Sequence, residues 1–224
     1  MFLVTTLAIY LGLPLLGWGV DDLAGFLSLS PRAGYALAVV AVGLAVGCQA
    51  MDSPEGVRGG KVKGEEGKLV RRQSVVRVAV ILLMYGALIF LPFSDRRAIA
   101  VMIGGEVARW IGLVFFGLGS TLVFWSGLAL GRLYSPEVTL QAGHRLITSG
   151  PYRHLRHPRY LGGIIYACGL SLLFRSWIGM VGCVLALGFF WFRVRDEEAL
   201  MCQEFGQEWE AYCQRSWRLI PFLY

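Results

Sequence analysis

Two short segments of this chain concentrate the side chains that could do chemistry. The first, His144–Tyr160, reads HRLITSGPYRHLRHPRY and holds all three histidines and four arginines. The second, residues 192–198, reads FRVRDEE. Ionisable groups within or at the edge of a lipid bilayer are energetically costly, so by default they indicate function. Together these segments could build a polar pocket of Arg, His, Tyr and Glu side chains.

A metal site is one chemistry that such a pocket could support. The candidate ligands are His144, His154, His157, Glu197 and Glu198. Pro158 biases His157 away from helical geometry, and the chain has no HExxH pattern. The five cysteines form no CxxC pair, which indicates structural thiols rather than a zinc site or a disulfide framework. Ser149 lacks the sequence context of a nucleophile elbow. We therefore predict neither a metal nor a covalent nucleophile.

The composition predicts the kind of secondary structure that positions these residues. Residues of the types AVILMFWYC make up 56% of the 224 residues, and charged residues only 16%, against roughly a quarter in soluble domains. Lipid requires every backbone polar group to be satisfied within its own segment. The composition excludes a disordered chain and predicts an all-α, polytopic membrane helical bundle. The net charge of +6 is spread over short loops, which favours membrane lipids rather than nucleic acid as the partner.

Uncharged stretches predict about six transmembrane helices. They are Met1–Val20, Ala33–Met51, Val78–Ser94, Trp110–Gly131, Tyr160–Phe174 and Ser176–Phe192. The first four reach the roughly 17–25 residues that a crossing needs, whereas the fifth is short and the sixth marginal. Only Arg175 separates the last two, which indicates a tight helical hairpin over 160–192. The first stretch lacks a basic n-region and an A-x-A cleavage site, so we interpret it as a span and not a signal peptide.

The distribution of Lys and Arg predicts the orientation. With the N-terminus inside, the inner segments 52–77, 132–159 and 193–224 hold sixteen basic residues and the outer segments hold five. Such an asymmetry places the richer loops in the cytoplasm. We therefore expect both termini and the segment before Tyr160 to face the cytoplasm.

The hairpin makes a geometric prediction about the two charged segments. A hairpin returns the chain to the side that it left, so residues 192–198 should come back beside His144–Tyr160 at the cytoplasmic interface. From Arg193 to Cys213 we predict an amphipathic C-terminal helix, because Met201, Phe205, Trp209 and Tyr212 recur at helical spacing. The chain thus divides into N-terminal membrane helices, 1–131, and a C-terminal region, 132–224, that carries the chemistry.

Nucleotide-binding loops are missing from the sequence. The Gly- and charge-rich segment 52–77 contains Gly67-Lys68, but Leu69 follows, and Val62 stands where a Walker A pattern needs Gly. No GxGxxG follows a predicted strand, so we expect no Rossmann domain. Gly and mixed charge cannot build a core, and a loop in contact with headgroups is the simpler interpretation of this segment.

The C-terminal region contains a series of spaced motifs. They are Gly150–Gly162 (GPYRHLRHPRYLG), Arg193-x-x-x-Glu197-Glu198, Phe205-Gly206, Trp209-x-x-Tyr212 and Arg218-Leu-Ile-Pro221. With these motifs the region, roughly residues 132–224, resembles the isoprenylcysteine carboxyl methyltransferase family. The resemblance implies a membrane-embedded methyltransferase that binds S-adenosyl-L-methionine outside any Rossmann fold. The first 130 residues agree with the family only in being membrane spans. The broader superfamily includes phospholipid N-methyltransferases and thiol methyltransferases.

The resemblance also implies roles for individual residues. The methyl-donor contacts that it implies are His144, Arg145, Leu146, Ile147, Tyr152, His157, Pro158, Arg159, Tyr160 and Glu197. Glu197 would contact the donor from the C-terminal helix, and Arg193 would orient the carboxylate of the acceptor. The acceptor expected from the family is a lipidic or prenylated small molecule or peptide. The sequence does not indicate an oligomeric state.

Other functions remain open at this stage. Within the methyltransferases the acceptor could be an amine or a thiol instead of a carboxylate. Outside the enzymes, a small membrane scaffold or channel with a basic cytoplasmic face would show the same composition. In that case Arg193 and Glu197 would be an ordinary i, i+4 ion pair near the end of a span, worth only about 0.3–0.5 kcal/mol.

Overall fold

The structure, a computed structural model, describes residues 2–52, 67–131 and 146–221. Over these residues the protein is all-helical and contains no strand, which confirms the all-α part of the predicted fold class. The helices are α1 (Phe2–Leu7), α2 (Leu13–Trp18), α3 (Leu23–Ser28), α4 (Ser30–Asp52), α5 (Gly67–Arg96), α6 (Gly105–Leu130), α7 (Pro158–Leu173), α8 (Trp177–Phe205) and α9 (Gln207–Gln214). The predicted loop 52–77 overlaps the start of α5, and its residues 53–66 lie outside the described part of the chain.

Three helices are long and apolar enough to cross a membrane among the described residues. They are Ser30–Cys48, Gly105–Leu130 and Trp177–Phe205. The bent pair Leu3–Trp18 and Val20–Ser28 adds a fourth if it is counted as one span. The predicted span Val78–Ser94 lies within α5, whose first part has no described side chains. At 16 residues, α7 is about 24 Å long, shorter than a full crossing, as its length in the sequence predicts. The number of crossings and their orientation remain predictions.

The first predicted span is not one straight helix. A π-helical turn, Ala8–Gly12, joins α1 to α2, and the chain then bends by 90° at Gly19. Gly19 has φ of 114°, a conformation that residues with a side chain rarely adopt. The Asp22 carboxylate accepts a hydrogen bond of 2.9 Å from the backbone N–H of Gly25 and caps α3. Apolarity alone does not reveal such a bend, because all these residues suit a membrane.

The hairpin of α7 and α8 is present, but α8 does not end where charge returns. It runs through Arg193 and Glu197 to Phe205, so the prediction of a separate helix over 193–213 is wrong. The break falls at Gly206, which has φ of 48°, and α9 follows it. Charged residues are compatible with a continuing helix, whereas a residue in the left-handed conformation ends one.

Close packing of α6 against α7 depends on four glycines. A Cβ at Gly112 would lie 2.3 Å from the backbone nitrogen of Leu173, and one at Gly119 would lie 2.4 Å from that of Tyr166. On α7, Gly162 and Gly169 meet the backbone of α6 in the same way. Small residues allow membrane helices to approach closely, and van der Waals contact then stabilises the pair. This packing holds the start of α7, and therefore Tyr160, at a fixed position beside α6.

Substitution of Gly119 by Ala tests this packing. We expect Gly119→Ala to lower the stability by about 1–3 kcal/mol, because the added methyl group collides with the backbone of α7. Gly117→Ala is the matched control, since a Cβ at Gly117 meets nothing within 4 Å. Thermal unfolding in one detergent should show a lower Tm for the first variant only. Equal Tm values for the two variants would contradict the role assigned to Gly119.

A buried carboxylate joins the helix ends on the side opposite the hairpin's open end. Asp95 lies 2.6 Å from Nη1 of Arg109 and 2.7 Å from its Nη2. Arg175 and Arg32 lie 3.3 Å and 3.7 Å from the same carboxylate. The Arg32 guanidinium also stacks on Trp18 at 4.0 Å. One aspartate thereby links α4, α5, α6 and the turn of the hairpin.

Candidate active site

The entry to α7 is held by the C-terminal tail. Pro158 begins the helix and keeps His157 outside it, at φ −126° and ψ 54°. The His157 backbone N–H donates to the Arg218 carbonyl at 3.1 Å, and the Arg156 N–H donates to the Trp217 carbonyl at 2.8 Å. These backbone hydrogen bonds fix the position of His157, whose side chain contacts α8.

The two charged segments meet side by side, as the hairpin predicts. His157 Nδ1 lies 3.5 Å from Glu197 Oε2, and the Tyr160 hydroxyl donates a hydrogen bond to Glu197. The Arg193 Nε group donates to the Tyr160 hydroxyl at 2.6 Å and lies 3.3 Å from Glu197 Oε1. The Arg193 guanidinium carbon is 5.9 Å from the centre of the Tyr160 ring. One network therefore joins the start of α7 to the middle of α8.

Glu198 is a second organising carboxylate, which the sequence indicated only as a candidate metal ligand and as part of the family pattern. It accepts from Arg156 Nε at 2.9 Å and pairs with Arg218 Nη2 at 2.5 Å. Its Oε1 also lies 3.4 Å from His157 Nε2. In the sequence, its position next to Glu197 in the segment RDEE is the feature that could have indicated this role. Both carboxylates belong to the network because the face of α8 that carries them packs against the loop before α7.

His157 is held between the two glutamates in a buried position. Its exposed fraction is 7%. Burial alone would lower the pKa of His157, but the neighbouring carboxylates of Glu197 and Glu198 outweigh this effect and raise the pKa above its ordinary value. The imidazolium form is therefore favoured more than in water. In this form His157 can donate from both ring nitrogens and hold both carboxylates in place.

A cavity of about 730 Å³ begins at this network and extends among the membrane helices. We call its charged end the polar limb and the rest the inner limb. The polar limb is lined by Leu146, Ile147, Tyr152, Arg156, His157, Arg159, Tyr160, Arg193, Glu197, Leu200, Met201, Trp209 and Tyr212. The inner limb is lined mainly by apolar residues of the N-terminal half, which include Val39, Val42, Val46, Val80, Met84, Phe116, Val123 and Phe124. A ligand with a polar head and an apolar tail matches this division.

The structure places most of the predicted site residues on this cavity. Eight of them line it: Leu146, Ile147, Tyr152, His157, Arg159, Tyr160, Arg193 and Glu197. Pro158 is buried at the start of α7, so it shapes the site through the backbone. His144 and Arg145 lie outside the described residues. The roles assigned to all ten donor contacts and to Arg193 remain predictions.

Residues beyond the predicted set also form the wall of the polar limb. Arg156, Leu200, Met201, Trp209 and Tyr212 line it. The Tyr212 hydroxyl donates to the carbonyl of Tyr152 at 2.7 Å, which seats α9 on the loop before α7. Burial raises the pKa of Tyr212 to about 12, so its hydroxyl stays protonated as a donor. In the sequence, the helical spacing of Trp209 and Tyr212 is the feature that could have indicated that both residues face the site.

Groups of three or more side chains that could hold a metal ion are absent from the described residues. The charged groups that line the cavity are three arginines and one glutamate, together with His157. Because cations outnumber carboxylates on the cavity wall, the site suits an anionic group better than a cationic one. Arg193 and Arg159 supply guanidinium groups, which match a carboxylate in geometry and charge.

Known proteins share this region. Residues 107–208 match the family model described as "Phospholipid methyltransferase". The "Probable protein-S-isoprenylcysteine O-methyltransferase" of Oryza sativa subsp. indica is 32% identical over 117 residues, which are 51% of this chain and 61% of that protein. A Delta(14)-sterol reductase of Mus musculus is 35% identical over 89 residues, 37% of this chain and 20% of that protein. A solved structure of a eukaryotic intramembrane Ras methyltransferase aligns with 99% of this chain and 97% of its own, at a TM-score of 0.49 and 16% identity.

The fold and the site together define a class of protein. It is an integral membrane protein of packed helices, with a charged site at one end of a cavity that continues among the helices. In sequence, the chain is similar to the protein-S-isoprenylcysteine O-methyltransferases of Oryza sativa and Schizosaccharomyces pombe, each 32% identical over about half of this chain. The match covers less than two thirds of the length of the rice relative. The family-model match, residues 107–208, includes α7 and α8.

Proposed function

We propose that this protein transfers a methyl group from S-adenosyl-L-methionine to the carboxylate of an acceptor with an apolar tail, such as a prenylcysteine. The observation that carries the proposal is one continuous cavity with a cationic network at one end and apolar helices around the other. The polar limb suits the donor and the acceptor headgroup, and the inner limb suits the tail.

The residues of the polar limb fit the methyl donor. Glu197 presents a carboxylate that can accept from the ribose hydroxyls or the ammonium group, and it is already oriented by His157 and Tyr160. The Tyr160 ring can face the positive sulfur, a contact worth about 0.5–2 kcal/mol. When bound, S-adenosylmethionine supplies an electrophilic methyl group. Leu146, Ile147 and Tyr152 would enclose the remainder of the molecule from the loop side.

Methyl transfer to a carboxylate requires mainly that the protein align the acceptor with the methyl donor. A free carboxyl group titrates near 4, so the acceptor is already ionised at neutral pH and needs no general base. Arg193 would anchor the carboxylate with its oxygen facing the donor. Alignment of two reactants can contribute on the order of 7–11 kcal/mol to lowering a barrier. The network of Tyr160 and Glu197 holds the Arg193 side chain in one orientation before the acceptor arrives.

The tail would occupy the inner limb. Residues from α4, α5 and α6 line that part of the cavity, which accordingly lies among helices that contact lipid. An apolar tail gains about 25 cal/mol for each Å² of surface removed from water. The N-terminal helices would therefore contribute to the recognition of the acceptor.

Carboxyl methylation can be distinguished from the alternatives in one assay. Purified protein in detergent is incubated with donor labelled on the methyl group and with an N-acetyl-S-prenylcysteine, or with its carboxamide as the matched control. We expect label that base releases as methanol, and only from the free acid. Label that is stable to base would show transfer to nitrogen or sulfur instead. No label, together with no calorimetric binding of S-adenosylhomocysteine, would favour a scaffold or channel.

A further inference from the structure

The inner limb of the cavity ends at one level of the helical bundle. On five helical segments, the lining residue furthest from the polar limb marks this level, which we call the cavity floor. The five residues are Tyr10 in the π-helical turn, Val39 in α4, Met84 in α5, Phe116 in α6 and Tyr166 in α7. Tyr166 lies six residues after Tyr160, which is about 9 Å along the axis of α7. The floor on α7 is therefore fewer than two helical turns beyond the charged network.

All five segments are tightly packed one helical turn beyond the floor. The residues four positions further from the polar limb are Pro14, Tyr35, Leu88, Gly112 and Leu170, and all of them are buried. The exposed fractions of Tyr35, Leu88 and Leu170 are 0%, 1% and 4%. A Cβ on Gly112 would lie 2.3 Å from the backbone nitrogen of Leu173, so α6 and α7 are in direct contact there. A tail that reaches the floor meets a filled core.

The floor itself consists largely of aromatic rings that are supported from behind. The centre of the Tyr166 ring is 6.5 Å from that of Tyr10 and 5.2 Å from that of Phe116. Phe116 in turn packs on Tyr35, with ring centres 5.0 Å apart, and the Tyr35 hydroxyl donates to the Tyr10 carbonyl. The Tyr166 hydroxyl is buried, so it does not face the cavity. Because the core behind these rings is close-packed, they cannot move aside without disturbing it.

We propose that the cavity floor sets an upper limit to the length of the hydrocarbon tail that the protein accepts. This inference rests on the proposed function, because it assigns the inner limb to the tail. The acceptor class is then a carboxylate whose hydrocarbon tail ends at or before the floor. A longer tail would have to displace packed side chains, and overpacking of this kind is unfavourable. The floor determines which tails bind, whereas the polar limb determines the reaction.

The test uses a series of N-acetyl-S-alkylcysteines whose straight tails lengthen step by step. Thermal stabilisation of the protein, saturated with S-adenosylhomocysteine, is measured over a concentration series of each compound. We expect tails beyond one length to bind about tenfold or more weakly than the longest tail that fits. All variants are measured in the same detergent, so the partitioning of a given tail into micelles is the same for each. The shift of the length limit between variants is therefore the decisive quantity.

Two variants should move the length limit in opposite directions. Tyr10→Ala removes a half-buried ring from the floor, and tails just beyond the wild-type limit should then bind about tenfold more tightly than they bind to the wild type. Val42→Phe adds a ring to the cavity wall three residues before Val39 on α4, and it should move the limit to shorter tails. Val42→Phe fills space instead of opening a void, so it keeps the test decisive if Tyr10→Ala fails to fold.

Ile9→Ala and Leu44→Phe are the matched controls. Ile9 adjoins Tyr10 and packs against the core, and Leu44 is 50% exposed on α4. Neither residue is among those that line the cavity, so both variants should keep the wild-type limit. A tail that left the cavity beside α8, where Leu185 is 65% exposed, would meet no limit. Affinity that does not fall for the longest tails, or a limit that neither Tyr10→Ala nor Val42→Phe moves, would overturn the inference.

The readout separates this inference from the proposed function. Stabilisation is measured without turnover, so its result does not depend on methyl transfer. Base-labile labelling of acceptors of every tail length, with no limit in their binding, would leave carboxyl methylation standing and refute the role of the floor. A length limit that moves in the two variants, without any labelling, would support the role of the floor and refute the methyl transfer.

Discussion

Replacement of Arg193 by Ala should lower kcat/KM for carboxyl methylation by about 100-fold or more. A misplaced reactant costs on the order of 10²-fold in rate, and Arg193 is the residue proposed to place the acceptor carboxylate. Arg193→Lys should recover little of the lost kcat/KM, because an ammonium group cannot bind a carboxylate in the bidentate geometry of guanidinium. The assay is methyl-ester formation at several acceptor concentrations, which separates kcat from KM.

Two comparisons make this result specific to the site. Arg195→Ala removes the same charge from α8 at an exposed position two residues away, and it should leave kcat/KM within about twofold. Glu197→Gln should weaken S-adenosylhomocysteine binding about tenfold or more, since a hydrogen bond to a charged group is worth about 1.5–3 kcal/mol. Normal turnover by Arg193→Ala would exclude Arg193 as the carboxylate anchor. Unchanged binding by Glu197→Gln would remove Glu197 from the donor site.

Replacement of Asp95 by Asn should destabilise the protein more than any single change in the cavity. Asp95 is 6% exposed, and its carboxylate faces three arginines. Removal of one partner from a buried ion pair costs about 3–5 kcal/mol, because the remaining charge is left uncompensated. For a chain of this length, that loss lowers Tm by about 6–20 °C. Thermal unfolding in detergent measures it.

Asp21→Asn is the matched control for Asp95→Asn. Asp21 also pairs with an arginine, Arg96, at 2.6 Å, but its side chain is 70% exposed. Exposed ion pairs contribute little to stability because solvent screens them, so Asp21→Asn should change Tm by a few degrees at most. If the two variants unfold at the same temperature, Asp95 is not the centre that joins α4, α5, α6 and the hairpin turn.

The ion pairs around Asp95 and Asp21 also bear on the charge asymmetry of the sequence. Arg32, Arg96, Arg109 and Arg175 are four of the five basic residues predicted to lie outside. Each of them contacts an aspartate. Most of the positive charge on this side of the bundle is therefore compensated by aspartates.

The polar limb was largely predictable because its parts are close in sequence. A hairpin of two adjacent helices must return the chain to its starting side, so His157 and Glu197 had to meet once the two apolar runs were recognised. The roles of Glu198, Arg156 and Arg218 were not predictable in the same way. They depend on the rotation of α8 and on the path of the tail, and neighbouring elements determine both.

The amino-acid sequence by itself determined the helical membrane class, the hairpin and the meeting of the two charged segments. Apolar run length and charge position are local properties, and lipid leaves few structures that satisfy the backbone. Only the tertiary structure decided the bend at Gly19, the continuation of α8 to Phe205, and the inner limb with Tyr10, Phe116 and Tyr166. These features arise from contacts between distant helices, and an apolar side chain that faces lipid cannot be distinguished in the sequence from one that faces a cavity.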